Sequence, residues 1–208
     1  MSKAISNKNV ADAKFAPAPF DGPFKAALGR PELKGSWLIF GKSGSGKTTF
    51  ALQLAKYLTR FVDKVAFDSL EQGLSLSMQK AWKRVDMAAA GSKGIFLDKE
   101  SLPELRDRLS KRKSPNVIII DSVICLVGMR LADYQKLMND YPNKLFIFLA
   151  HEDDRGNPSP ALAEKIRKLS DIKMHVEGYK VFTTTRYEDR TKGEGGEDFT
   201  CLLYTSPS

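Results

Sequence analysis

Apolar residues fall into short blocks separated by polar, glycine- and proline-containing connections. Residues 36–40 form a compact apolar run that stops at a glycine, the pattern of a buried strand. Residues 48–61 carry Phe50, Leu54, Tyr57, Leu58 and Phe61 at helical spacing, with no Pro or Gly to interrupt them. The pattern then predicts a strand over 64–67, a helix over 73–85 and a short strand over 94–97. Residues 102–111 read as an amphipathic helix with Pro103 in its first turn, where proline is tolerated. The β-branched run 117–120 predicts a strand, 131–140 a helix and 145–149 a further strand. Residues 172–176 and 180–185 pair as a hairpin around Glu177 and Gly178. Strands alternating with helices imply an α/β domain: a mainly parallel twisted sheet, helices on both faces and a C-terminal β-hairpin.

Two stretches fall outside this alternation. Residues 1–33 are polar, then rich in Pro, Gly and Phe. Pro17, Pro19, Pro23 and Pro31 argue for an extended arm that lies on the domain or on a neighbouring subunit through Phe15, Phe20 and Phe24. Residues 34–200 form the domain proper. Residues 201–208 resemble the read-through of a common transposase sequencing adapter, the alternative being a genuine short tail, and are set aside from fold reasoning. The natural chain is expected to continue differently from near Thr200.

Length and composition change this picture little. A chain of 208 residues suits one compact domain. No apolar run approaches the roughly 18 residues of a membrane span, and the polar N-terminus is no secretory signal, so a cytoplasmic protein is expected. The two cysteines, Cys125 and Cys201, make neither a disulfide framework nor a metal site, and Cys125 reads as a core residue. The net charge of +8 matters more, because it attracts polyanions, nucleic acid among them.

The chemistry concentrates in one motif. Gly41, Lys42, Ser43, Gly44, Ser45, Gly46, Lys47 and Thr48 match G-x-x-x-x-G-K-[ST] completely, between a predicted strand and a predicted helix. Such a loop turns backbone N–H groups inward around phosphate oxygens, and the following helix adds its positive end and Thr49. Lys47 is expected to neutralise the β- and γ-phosphates of ATP, and the Thr48 hydroxyl to reach Mg²⁺. Asp121, after the 117–120 strand and before Ser122, suits the second Mg²⁺-holding position.

Three further candidates end predicted strands. Glu71 is placed to activate water as a general base, or is a helix-start glutamate favoured by the dipole; Asp68 is a second candidate base. His151 and Glu152 follow the 145–149 strand, where a polar group can sense the γ-phosphate or simply cap structure. Arg186, with Arg190 and Lys192 nearby, either reaches a neighbour's γ-phosphate or belongs to a solvated basic hairpin. Residues 153–161 contain Gly156, Pro158 and Pro160 and read as a loop suited to a nucleotide-linked switch.

Taken together, 41–48, Asp68 to Glu71, Ile118 to Ser122 and Ala150 to Glu152 resemble the RecA-like ATPase core. The likeness runs over about residues 33–200 and is nearest to single-domain RecA-type recombination ATPases of phages and mobile elements. The resemblance implies Glu71 as the water-activating base and His151 at the sensor position, where RecA itself carries glutamine. It implies 153–161 as the DNA-binding loop and Arg186 as a finger acting in trans. It further implies single-stranded DNA as partner and a homo-oligomeric ring or filament. The expected function is ATP hydrolysis coupled to DNA recombination, repair or annealing. The alternatives are a helicase-like or helicase-loading motor, and a nucleotide-dependent switch with little hydrolysis.

Overall fold

The structure, a computed structural model, describes residues 4–187 and the backbone of 201–202. The long β-branched and aromatic runs pair edge to edge. β1 (Gly35–Gly41), β2 (Val65–Ser69), β3 (Gly94–Leu97), β4 (Val117–Asp121), β5 (Leu145–Glu152) and β7 (Ile172–Glu177) lie parallel in the order β3-β2-β4-β5-β1-β7. β8 (Lys180–Thr185) runs antiparallel beside β7, and β9 (Cys201–Leu202) antiparallel beside β8. The two-residue β6 (Pro158–Ser159) folds back on the end of β5.

Because side chains alternate along a strand, this sheet sorts its apolar residues into two cores. Trp37, Ile39, Phe67, Val117, Ile119, Ile147 and Leu149 face α3 (Lys47–Leu58) and Met78 of α4 (Leu76–Arg84). Leu38, Phe40, Ile118, Ile120, Phe146 and Phe148 face α5 (Leu102–Ser110), α6 (Leu131–Asp140) and α7 (Ala161–Leu169). The parallel strands thus end together on one side, where ligands of open α/β sheets bind.

Several elements differ from the sequence expectation. The segment read as an extended arm contains α1 (Asn7–Ala11) and α2 (Gly22–Leu28). Pro23 does not prevent α2, because it falls in the first turn, where its missing N–H has no helical partner to lose. Phe20 is buried and meets the rings of Tyr57 and Phe61 at 5.1 and 5.2 Å, and Phe24 stacks on Tyr57 at 4.3 Å. Phe15 instead is exposed. Phe20→Ala should therefore destabilise the domain by about 3–5 kcal/mol, while Phe15→Ala should change little; denaturant unfolding of the two variants checks this.

Helix α7 lacks a counterpart among the expected elements. Its Ala163 and Ile166 are buried, and Glu164 pairs with Arg167 and Lys168 on the outer face. β5 runs on past Leu149, so His151 and Glu152 are strand residues rather than loop residues. Residues 153–161 are ordered by Asp153, whose Oδ1 accepts from the N–H groups of Arg155 and Asn157 at 3.0 and 2.8 Å, and by β6. The β7–β8 turn centres on Gly178 and Tyr179, one residue later than expected. Cys125 is half-buried in a short 3-10 turn after β4 rather than in the core.

Candidate active site

β1 delivers the phosphate-binding loop. Gly41 ends the strand where a Cβ would lie 2.2 Å from the Val176 carbonyl oxygen, so only glycine fits between β1 and β7. Lys42, Ser43, Gly44 and Ser45 form the turn, closed by the Ser45 N–H on the Lys42 carbonyl at 3.2 Å. Gly46, at φ 100°, starts α3, and Thr49 follows in the first turn. The loop therefore runs directly into the N-terminus of α3.

Lys47 is buried and folds back under the loop, its Nζ donating to the carbonyl oxygens of Gly41 and Lys42 at 2.8 Å each. Burial lowers its pKa, while Asp121, Glu71 and Glu152 oppose that shift. The ammonium thus faces a local excess of carboxylates. Thr48 Oγ1 donates to Asp121 Oδ2 at 3.0 Å. Burial pushes Asp121 up to about 6, with the Thr48 hydrogen bond opposing. Two hard oxygens side by side, next to the 41–48 loop, are groups that could hold a Mg²⁺. Among the described residues no group of three or more His, Cys, Asp or Glu could cage a metal by itself.

Glu71 stands in the turn after β2, and its N–H donates to the Asp121 carbonyl at 2.9 Å. It is not a helix-start residue: α4 begins at Leu76, and Ser75 caps it by accepting from the Met78 N–H. Its Oε2 accepts from Ser122 Oγ at 3.1 Å and meets His151 Nε2 at 3.0 Å. Both partners hold the same oxygen. Gly41 and His151 are register partners across β1 and β5, so the histidine and the loop share one sheet end.

The other candidates lie elsewhere. Asp68 points to the opposite face, where its Oδ1 accepts from the Glu100 N–H at 3.1 Å. Burial raises its pKa to about 7. The raised value means that the folded state holds this proton more tightly than the unfolded chain, whose Asp ionises near 3.8. Stability is therefore lost as pH rises from about 4 to about 7, and the whole penalty stands above that window. Asp68→Asn should raise Tm at pH 8 and not at pH 4; thermal unfolding at both values is the check. Glu152 does not enter the phosphate space but pairs with His175 Nε2 at 2.6 Å, and His175 stacks on Phe40 at 4.8 Å.

Arg186 pairs with Asp171 at 3.0 Å, and Asp171 lies against Gly35, at the other end of β1 from Gly41. That is about 20 Å from its own loop at some 3.3 Å per strand residue. Arg190 and Lys192 lie outside the described residues.

Sequence reasoning gave Ser122 no role and passed over His175. Ser122 was marked only by following the acidic strand end. His175 had no sequence signal, since its partner lies 23 positions away.

A P-loop at the end of β1, a hydroxyl–carboxylate pair beside it and the sheet order around them define a RecA-like P-loop ATPase fold. The chain belongs to the ATPase family associated with various cellular activities (AAA), which it matches over residues 37–186.

Solved structures agree on the fold. The flagellar accessory protein FlaH from Methanocaldococcus jannaschii superimposes with a TM-score of 0.57 at 15% identity, covering 81% of this chain and 85% of that one. The KaiC-like protein PH0186 from Pyrococcus horikoshii OT3 gives 0.52 at 19%, covering 81% and 86%. In sequence, the DNA repair and recombination protein RadB of Methanosphaera stadtmanae is 31% identical over 102 residues, 46% of this chain and 44% of that protein. The chain thus spans less than half of that relative. Among the described residues no helix is long and apolar enough to cross a membrane.

Proposed function

We propose that this protein hydrolyses ATP and works on single-stranded DNA in recombination, repair or annealing. The observation that carries the hydrolytic part is the convergence of Lys47, the Thr48–Asp121 pair and Glu71, held by Ser122 and His151, at one sheet end. The loop N–H groups and Lys47 bind the triphosphate. Thr48 and Asp121 would hold Mg²⁺, which supplies charge neutralisation on the phosphate oxygens. Glu71 Oε1 accepts a proton from the attacking water, while Oε2 keeps its two partners. His151 contacts Glu71 directly, so a change at the γ-phosphate reaches β5 and, through it, the 153–161 hairpin. Arg186 is too far from its own loop to act there, and is assigned to the site of a neighbouring copy in a ring or filament.

The DNA part rests on the +8 charge and on the RadB likeness. Single-stranded DNA should bind with an affinity that falls steeply with salt, as counterion release requires. Fluorescence anisotropy with a labelled oligonucleotide at two salt concentrations tests it. No binding at low salt, with or without MgATP, would remove DNA from the account.

A further inference from the structure

We propose that the phosphate backbone of DNA binds along the edge of the sheet opposite the phosphate loop, on a row of cationic side chains at the strand starts. The inference rests on the DNA-binding reading above and gives it a place on the molecule.

Because the neighbouring strands β3-β2-β4-β5-β1 are parallel, their starts share one edge. Lys93, Lys64, Lys144 and Lys34 stand immediately before β3, β2, β5 and β1. In the middle of the row, β4 is entered from Arg112 and Lys113. Hydrogen bonds tie these connections to one another. The Lys64 N–H donates to Asn116 Oδ1 at 3.1 Å, and Lys144 Nζ donates to Ser114 Oγ at 2.9 Å and to the Pro115 carbonyl at 2.6 Å. Strands about 4.8 Å apart make the row roughly 19 Å long, enough for several phosphates of one strand.

Little of this charge is cancelled in place. Lys144 donates to neutral oxygens, and so does Lys93, to the Thr59 carbonyl at 3.0 Å. Arg112 and Lys113 are exposed and, like Lys64, pair with no carboxylate among the described residues. Carboxylates temper the row at Asp63, beside Lys64, and at its β1 end, where Glu32 pairs with Lys34 at 3.0 Å. Beyond that end, Asp171 before β7 is matched by Arg186. The opposite edge has the reverse sign: β2, β3, β4, β5 and β7 run out at or just before Glu71, Asp98, Asp121, Glu152 and Glu177. The 153–161 segment adds Asp153 and Asp154 against Arg155. A long polyanion is therefore drawn to the strand starts rather than to the strand ends. The row offers point charges alone, so the contact is with phosphates and is indifferent to base sequence.

Fluorescence anisotropy of a labelled single-stranded oligothymidylate, titrated with the full chain over a series of salt concentrations, tests the placement. Two variants remove the same charge from opposite ends of the sheet, with circular dichroism to establish that both are folded. One combines Lys64→Gln, Arg112→Gln and Lys113→Gln on the row. The other combines Lys99→Gln, Arg130→Gln and Arg155→Gln at the carboxylate-rich end. The first should weaken binding at low salt roughly tenfold or more and flatten the log–log salt dependence by about 2, at some 0.7 per lost phosphate contact. The second should stay close to the wild type. Equal weakening by both would mean that only net charge is felt, and would overturn the proposal. So would a first variant that binds as the wild type does, or a loss confined to the second, which would move the DNA to the strand ends. A wild-type chain that binds no DNA at low salt would bring down the DNA reading itself, and this surface with it.

Discussion

Lys47→Ala is expected to lower ATP hydrolysis by at least about 100-fold and to weaken nucleotide binding with it. Lys47 is the buried cation at the centre of the phosphate loop, and its Nζ already sits on two loop carbonyls. A triphosphate offers that ammonium oxygen acceptors carrying full charge, which are stronger partners than neutral carbonyls. Alanine removes the charge and leaves the Gly41 and Lys42 oxygens without their donor. The effect therefore falls on binding and on turnover together. Phosphate release and calorimetric nucleotide affinity, with circular dichroism to establish that the variant is folded, make the check. A folded variant that turns over ATP normally would place the phosphates elsewhere.

Glu71→Gln should separate the two effects. Glutamine has the shape of glutamate and can still accept from Ser122, so nucleotide affinity should hold. It cannot take a proton from water, and turnover should fall about 10²- to 10⁴-fold. Asp68 offers no substitute, since it faces the other side of the sheet and is hydrogen-bonded to the Glu100 backbone. Single-turnover hydrolysis at saturating MgATP measures the step. Undiminished turnover would mean that Glu71 is not the base and that its contacts with Ser122 and His151 serve structure alone.

Much of this was legible in the residues because local rules were enough. The parallel strands carry continuous apolar runs, and glycine at Gly41 and Gly46 marks a loop that side chains cannot enter. The motif 41–48 is contiguous, so its chemistry could be read without a fold. Asp121 was found from one apolar run and its end. What stayed hidden depends on distant pairs. Glu71 meets Ser122 across 51 positions and His151 across 80, and only the β2–β4 and β4–β5 registers bring them together. Asp68 and Glu71 looked alike as candidate bases because strand parity, which sends Asp68 to the far face, shows only once the sheet is built. The arm misled through its prolines: Pro23 falls in the one helical turn that tolerates it. Helix α7 was obscured by the glycine- and proline-rich stretch immediately before it.

The central claim is that this sheet end hydrolyses ATP and is tuned by DNA. Steady-state phosphate release by the full chain, with MgATP, in the presence and absence of single-stranded DNA, tests it most directly. The account predicts Mg²⁺-dependent turnover that rises several-fold with DNA. No turnover under either condition would contradict the proposed hydrolytic role, and turnover indifferent to DNA would contradict its coupling to DNA.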